Sequence, residues 1–133
     1  MKEAVILSSV RTAVGRFGGA LTALTDRDLG ALVIKAALER AGVAPDQVEE
    51  LVFSQQYRTG VLPANMARPV AVDAGIPIRV PQYTVAKACG GSLKTVFLAA
   101  QAIKAGDADM VAAGRSEERR VGKECRTRWA AYH

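Results

Sequence analysis

Short apolar runs alternate with helical stretches along the first 114 residues of the chain. Ala4–Val10 is continuous and apolar, as in a strand that is buried on both faces. Leu51–Ser54, Gln82–Val85 and Met110–Ala113 indicate three further strands. Because parallel strands need long crossover connections, the helical stretches between these runs predict an α/β domain with a mostly parallel sheet.

Two amphipathic helices are predicted before the third strand. The first is capped by Asp26 or Asp28, shows one apolar stripe at a spacing of about 3.6 residues, and ends at Gly42. A shorter helix is predicted over Asn65 to Ala74. Between these helices, the polar loop Gln55–Leu62 follows a strand at its carboxyl end, which is where open α/β sheets bind their ligands.

The third helix lies between Cys89 and Gly106 and is apolar nearly all round, with only Lys94 and Lys104 charged. A helix of this kind packs on more than one side. The pattern therefore predicts a buried helix following Cys89, with another layer of the architecture beyond it. Ser92 is the candidate N-cap.

The last 19 residues, RSEERRVGKECRTRWAAYH, follow neither helical nor strand periodicity. The net charge of the chain is +5, but residues 1–114 hold 12 basic and 10 acidic residues, and the final stretch adds 6 and 3. More than half of the net charge therefore lies in this tail, which makes it a weak indication of nucleic-acid binding. We divide the chain into one domain, residues 1–114, and a basic tail, residues 115–133, that is non-native or disordered.

Composition excludes several other classes of function. No apolar run reaches the roughly 20 residues of a membrane span, and the N-terminus lacks the basic start and apolar core of a signal peptide. We therefore expect a cytoplasmic protein that binds neither membranes nor nucleic acid. The two cysteines, Cys89 and Cys125, lie in unlike surroundings and the one histidine is His133, so neither a disulfide framework nor a metal site is predicted.

Cys89 is the main candidate for chemistry, because it lies where the third strand meets the third helix. The N-terminus of a helix carries partial positive charge and free N–H groups, and both stabilise a thiolate. Lys87 is a candidate electrostatic partner for such a nucleophile. A free cysteine can equally be a small buried hydrophobic residue, and the residue pattern alone slightly favours that interpretation.

Three stretches, taken together, resemble the N-terminal part of thiolases, the acetyl-CoA acetyltransferase family. They are SSVRTAVGRFGGALTAL, DLGALVIKAALERAGV and VPQYTVAKACGGSLKTVFLAAQAIKAGDADMVAAG, in the order and spacing of the family. The resemblance covers Met1 to Gly114. It implies an α/β fold in which the chain forms a partial thiolase-like N-terminal domain.

The resemblance also implies a role for Cys89. In thiolases the matching cysteine attacks the acyl donor and holds the acyl group as a thioester, and its backbone N–H contributes to an oxyanion hole. The implied activity is acetyl-CoA C-acetyl transfer or thiolysis of 3-ketoacyl-CoA, in fatty acid metabolism, with coenzyme A thioesters as substrates and no bound cofactor. The implied assembly is a homodimer or homotetramer, with Gln82–Val85 near the two-fold axis.

The chain departs from the family pattern at several points. Ala86 stands where the family usually has Asn, and Cys89-Gly90-Gly91-Ser92 reverses the last two residues of the usual Cys-Gly/Ser-Ser-Gly. Thiolases take their catalytic His, a second catalytic Cys and the main CoA-binding loop from later sequence, so we expect a fragment that is inactive alone. Two alternatives stay open: a short non-catalytic protein that pairs with full-length thiolase subunits, and a fragment of a ketoacyl-synthase-like condensing enzyme.

Overall fold

The computed structural model describes residues 2–16, 18–56 and 65–116. Predictions about residues 117–133, which include Cys125 and His133, and about residues 57–62 of the polar loop lie outside these ranges. The helices and strands of the described residues are α1 (Asp26–Ala41), β1 (Glu50–Ser54), α2 (Ala67–Asp73), β2 (Gln82–Val85), α3 (Gly91–Ala105) and β3 (Val111–Arg115).

The three strands form one parallel sheet in the order β2-β1-β3. Leu51 in the central strand lies opposite Gln82 on one side and Ala112 on the other. The connection from β1 to β2 contains α2 and the connection from β2 to β3 contains α3, as parallel pairing requires. The predicted α/β class with a mostly parallel sheet is therefore confirmed.

The central strand β1 is buried on both faces. Leu51 and Phe53 point to one face, and Val52 and Ser54 point to the other, because side chains alternate along a strand. All four are fully buried. Ser54 faces Gly91 at the start of α3, whereas Leu51 and Phe53 pack against α1 and α2. The main core cluster on the α1 and α2 side consists of Ile34, Leu38, Val48, Leu51, Phe53, Met66, Ala67, Val70, Ala71, Ala74, Ile76 and Val80.

The ends of α1 show which of the predicted caps the chain uses. The N-cap is Thr25, whose hydroxyl accepts the backbone N–H of Asp28 while the Asp28 carboxylate accepts the N–H of Thr25 at 2.8 Å. This reciprocal pair is a capping box. Asp26 is the first helical residue, so its prediction as the cap is wrong. Gly42 ends the helix as predicted, with a left-handed φ of 66° that glycine adopts without steric cost.

The predicted first strand, Ala4–Val10, is wrong for the described structure. The segment has no strand pairing, and the Ile6 side chain is 76% exposed. It runs beside α1, where the Ser8 hydroxyl donates to the carbonyl of Ala37 at 2.7 Å. A cavity of about 700 Å³ lies among this segment, α1, α3 and β3. The apolar run thus has no neighbouring strand in the described part of the chain.

The helix that follows Cys89 packs only one of its sides. Thr95 and Ala99 are buried against the sheet, while Leu93 and Phe97 are 58% and 54% exposed. Within the described ranges, the layer expected beyond this helix is not present. Despite this apolar surface, no helix among the described residues is both long and apolar enough to cross a membrane.

We expect the exposed face of α3 to drive self-association of the chain. Replacing both Leu93 and Phe97 with Lys should reduce light scattering and the fluorescence of a bound apolar dye, because it removes a contiguous apolar patch. The melting temperature should change little, since surface substitutions usually alter the free energy of unfolding by no more than about 0.5 kcal/mol. Val72→Lys, at an exposed position on α2, is the matched control. Equal scattering by the parent, the double variant and the control would contradict the expectation.

The pairing of β1 with β2 also predicts a pH dependence. The Tyr83 hydroxyl donates a hydrogen bond to the Glu50 carboxylate at 3.1 Å. Burial of the phenol, with a smaller contribution from the neighbouring Glu50, raises the pKa of Tyr83 to about 12. The folded state thus favours the neutral phenol. The resulting stabilisation is complete below the unfolded pKa of about 10 and is lost as the pH rises through 12.

A spectrophotometric titration of tyrosinate measures this shift. The chain has three tyrosines, so the difference between the parent and Tyr83→Phe isolates the one phenol. We expect a difference curve with its midpoint near 12 in the folded protein and near 10 in denaturant. A midpoint near 10 in the folded protein would show that the Glu50 contact and burial do not favour the neutral phenol.

Candidate active site

Cys89 lies in a tight turn between β2 and α3. Ala88–Gly90 form a single 3₁₀ turn, in which the N–H of Gly90 donates to the carbonyl of Lys87 at 3.0 Å. The N–H of Gly91 then donates to the carbonyl of Ala88 as α3 begins. The chain thus presents Cys89 at the junction of strand and helix, and the residue is exposed. It is not the small buried hydrophobic residue that the sequence pattern slightly favoured.

The start of α3 differs from the sequence prediction. Gly90 is the N-cap, and no side chain caps the helix. Ser92 is the second residue of the helix rather than its cap, and its backbone carbonyl accepts a hydrogen bond from the Thr95 hydroxyl at 2.7 Å. The prediction of Ser92 as N-cap is therefore wrong. The N–H groups of the first turn of α3 thus have no side-chain acceptor, and that of Gly91 is bonded to the carbonyl of Ala88.

The predicted electrostatic partner of Cys89 is not engaged with it. Lys87 is exposed, and its ammonium forms no ion pair in the part of the chain that the structure describes. The Cys89 thiol likewise has no hydrogen-bond partner among the described residues. Within residues 2–16, 18–56 and 65–116, the site is thus an exposed thiol next to a helix N-terminus, with no acid or base hydrogen-bonded to it.

A glutamine that the sequence analysis did not single out contacts this turn. The side-chain carbonyl of Gln56 accepts the backbone N–H of Ala88 at 2.7 Å. Ala88 has a φ of +39°, a region that residues other than glycine rarely adopt. The polar loop after β1 was predicted to lie where ligands bind, and its described part reaches the residue immediately before Cys89.

Ser54 fits closely against the start of α3. Its hydroxyl oxygen is buried, and a Cβ atom placed on Gly91 would lie only 2.0 Å from that oxygen and 3.0 Å from the Ser54 Cβ. No real Cβ contact is that short, so a side chain at position 91 would force the Ser54 hydroxyl to move. This close contact favours glycine at the third place of Cys89-Gly90-Gly91-Ser92, where the family pattern usually has serine.

A buried polar contact fixes the carboxyl end of β1 on the opposite side. Gln55 and Asp26 are both 3% exposed, and the Gln55 side-chain amide donates to the Asp26 carboxylate at 3.2 Å. The backbone N–H groups of Gln55 and Ser116 also donate to the carbonyls of Val85 and Ser54, at 3.1 Å each. The contact between Gln55 and Asp26 could not be predicted from the sequence, because an aspartate at the start of a helix is usually interpreted as its N-cap.

The chemistry that the described residues can supply is limited to side chains and backbone groups around Cys89. No group of three or more His, Cys, Asp or Glu side chains within them could hold a metal ion. The arrangement can therefore supply a nucleophile and backbone N–H donors, and it can position both through β1.

The chain matches the sequence profile described as "Thiolase, N-terminal domain" over residues 4–121. It is 53% identical over 117 residues to an acetyl-CoA acetyltransferase of Cupriavidus necator. This alignment covers 88% of this chain and 30% of that protein. It is 45% identical over 113 residues to the cytosolic acetyl-CoA acetyltransferase of Rattus norvegicus, covering 85% of this chain and 28% of the relative.

The chain is also similar in structure to a solved acetyl-CoA acetyltransferase. The crystal structure of the Bacillus anthracis acetyl-CoA acetyltransferase superposes with a TM-score of 0.79 at 35% sequence identity, covering 86% of this chain and 29% of that one. The chain thus spans roughly 30% of the length of the curated relatives that it matches. The matched region includes Cys89 and the whole described sheet.

The contact between Ser54 and Gly91 predicts a coupled pair of substitutions. Gly91→Ser alone should destabilise the chain by about 1–3 kcal/mol, because the added side chain overpacks against Ser54. Ser54→Gly together with Gly91→Ser should recover most of that loss, since the serine at 91 then occupies the vacated space. Chemical denaturation of the parent, both single variants and the double variant gives the interaction energy directly.

Gly106→Ser, at the C-cap of α3, serves as a control for the cost of replacing a glycine at an end of this helix. Gly106 has open space around its Cβ position but a φ of +88°, so its cost comes from the backbone alone. Ser54→Gly should therefore not relieve it. Strict additivity of Ser54→Gly and Gly91→Ser would refute the proposed steric coupling.

Proposed function

The chain belongs to the thiolase family, and on that premise we propose that it carries the nucleophile of an acetyl-CoA acetyltransferase, with Cys89 as that nucleophile. The observation that carries this proposal is the match to the thiolase N-terminal domain with an exposed cysteine on the turn that begins α3. The relatives that match at 44–53% identity are named acetyl-CoA acetyltransferases. These names favour a thiolase over the ketoacyl-synthase-like alternative.

In the proposed reaction, the Cys89 thiolate attacks the thioester carbonyl of an acyl-CoA. The bond from carbon to the CoA sulfur breaks, CoA leaves, and the acyl group is held as a thioester on Cys89. A second acyl-CoA, deprotonated at its α carbon, then attacks that thioester and releases the Cys89 thiolate with a new carbon–carbon bond. Thiolysis is the reverse sequence. A thiolate suits both steps because it is a good nucleophile and a good leaving group.

The backbone around Cys89 supports an oxyanion role for its own N–H. The neighbouring N–H groups of Gly90 and Gly91 already donate to the carbonyls of Lys87 and Ala88. The N–H of Cys89 therefore is the group of this turn that we propose for the negative charge that develops on the acyl oxygen. Fixed donors of this kind stabilise charge that appears only in the transition state.

The proposal includes the substrates, assembly and compartment. Acyl-CoA and coenzyme A are the substrates, and no cofactor is needed for the chemistry written above. A second copy of the subunit is the proposed partner, and β2 supports it because this strand lies at an edge of the sheet. We place the protein in the cytoplasm, in keeping with the rat relative that is named cytosolic.

The division between residues 1–114 and the tail stays a prediction. The strand β3 itself continues to Arg115.

A chimeric enzyme tests the role of Cys89. Residues 4–116 of this chain replace the matching segment of the Cupriavidus necator acetyl-CoA acetyltransferase, and CoA-dependent cleavage of acetoacetyl-CoA is measured. We expect an active chimera, whereas the 133-residue chain alone should show no cleavage. Cys89→Ser in the chimera should lower kcat by roughly 1,000-fold or more, because the nucleophile is lost.

Two measurements make that result specific to Cys89. Mass spectrometry of the chimera after mixing with acetyl-CoA should locate one acetyl group on the peptide that contains Cys89. Lys104→Gln, near the far end of α3, should leave kcat unchanged and so controls for substitutions in this helix. An active Cys89→Ser chimera, or an acetyl group on another residue, would refute the assignment.

A further inference from the structure

The turn that carries Cys89 contains one unfavourable backbone conformation. Ala88, the residue immediately before Cys89, has a φ of +39°. In this region the Cβ atom of an L residue crowds its own backbone, so the conformation persists only where other contacts hold it. Ala88 is also exposed, which means that packing of its methyl group does not hold it.

The contacts on either side of Ala88 do not account for its conformation. β2 is fixed in the sheet as far as Val85, and α3 is fixed from Gly91 onward by its packing on β1 and β3. Between them, Ala86 and Lys87 are exposed. The 3₁₀ bond from Gly90 to Lys87 closes the turn, but an ordinary turn with negative φ values also makes such a bond.

The Gln56 side chain supplies the missing restraint. Its carbonyl oxygen accepts the Ala88 N–H at 2.7 Å, and this is the one side-chain hydrogen bond to residues 86–90 found in the described part of the chain. Gln56 is half-buried and follows β1 by two residues, so its backbone is anchored by the central strand. It therefore reaches the turn from a position close to the paired strand, next to Gln55, whose backbone N–H bonds to the carbonyl of Val85.

We propose that Gln56 is a positioning residue for Cys89, which holds the Ala88 N–H and thereby keeps the thiol at the N-terminus of α3. This inference rests on the proposed role of Cys89 as nucleophile, but it makes a claim about geometry that can be measured without catalysis. Without the Gln56 acceptor, the Ala88 N–H turns to water and the backbone relaxes toward negative φ. The Cys89 thiol and its N–H then lose their alignment with the helix.

The rate at which iodoacetamide alkylates Cys89 in the full chain tests the proposal. Cys125→Ser serves as the background, so that Cys89 is the only thiol. Gln56→Leu keeps the side-chain size but removes the acceptor. It should slow alkylation about two- to fivefold, the factor expected when a thiolate loses the stabilisation of a helix terminus. The melting temperature should stay close to that of the parent, because the thiol is already exposed and no core contact is lost.

One variant should restore the parent rate. Ala88→Gly in the Gln56→Leu background removes the steric penalty of the positive φ, so the turn no longer needs the restraint. Gln56→Asn, which is one methylene too short, is the second loss variant should Gln56→Leu not fold. A purely structural role for Gln56 would instead change the melting temperature without this pattern of loss and rescue.

The outcomes separate this proposal from the proposed function. Alkylation at the parent rate in folded Gln56→Leu or Gln56→Asn would overturn the positioning role, whatever the chimera does. Failure of Ala88→Gly to restore the rate in the Gln56→Leu background would overturn it too. An active Cys89→Ser chimera would remove the catalytic role of Cys89, while the alkylation series would still report whether Gln56 holds the turn.

Discussion

The central strand β1 is the element on which the rest of this structure depends. It pairs with both other strands, and its side chains are excluded from solvent on both faces. Side chains alternate along a strand. Leu51 and Phe53 therefore pack against α1 and α2, while Ser54 packs on the other face against the start of α3. The chain that continues from its carboxyl end then reaches the Cys89 turn through Gln56. One strand therefore sets the position of both helical layers and of the thiol.

Much of the fold could be predicted from the sequence because its elements have local signals. Leu51–Ser54 and Gln82–Val85 are strands as the apolar and polar patterns indicate, and Gly42 and Gly106 end their helices in left-handed conformations. Ala4–Val10 is different, since an apolar run expresses a preference for burial without specifying a partner. In the described residues a cavity, rather than a strand, separates that segment from β3.

The candidate site could be located from the sequence, but its restraints could not. A β–α unit places its connecting turn at the carboxyl edge of a parallel sheet, so the position of Cys89 followed from the order of elements. Gln56 lies 32 residues earlier than Ala88, in a polar loop where nothing distinguishes it from a solvated neighbour. The positive φ of Ala88 has no sequence signal either, because alanine seldom adopts it.

The departures from the usual thiolase motif form a consistent set once β1 is taken into account. Ser54 fills the space beside the start of α3, so a side chain at position 91 would require the Ser54 hydroxyl to move. Ala86 has no hydrogen-bonding side chain, and Gln56 makes a side-chain hydrogen bond to the backbone of this turn. Ser54 and Gln56 both lie at the carboxyl end of β1. A change in the Cys89 motif therefore does not by itself indicate a lost site, because the geometry of the turn depends jointly on the motif and on the strand beneath it.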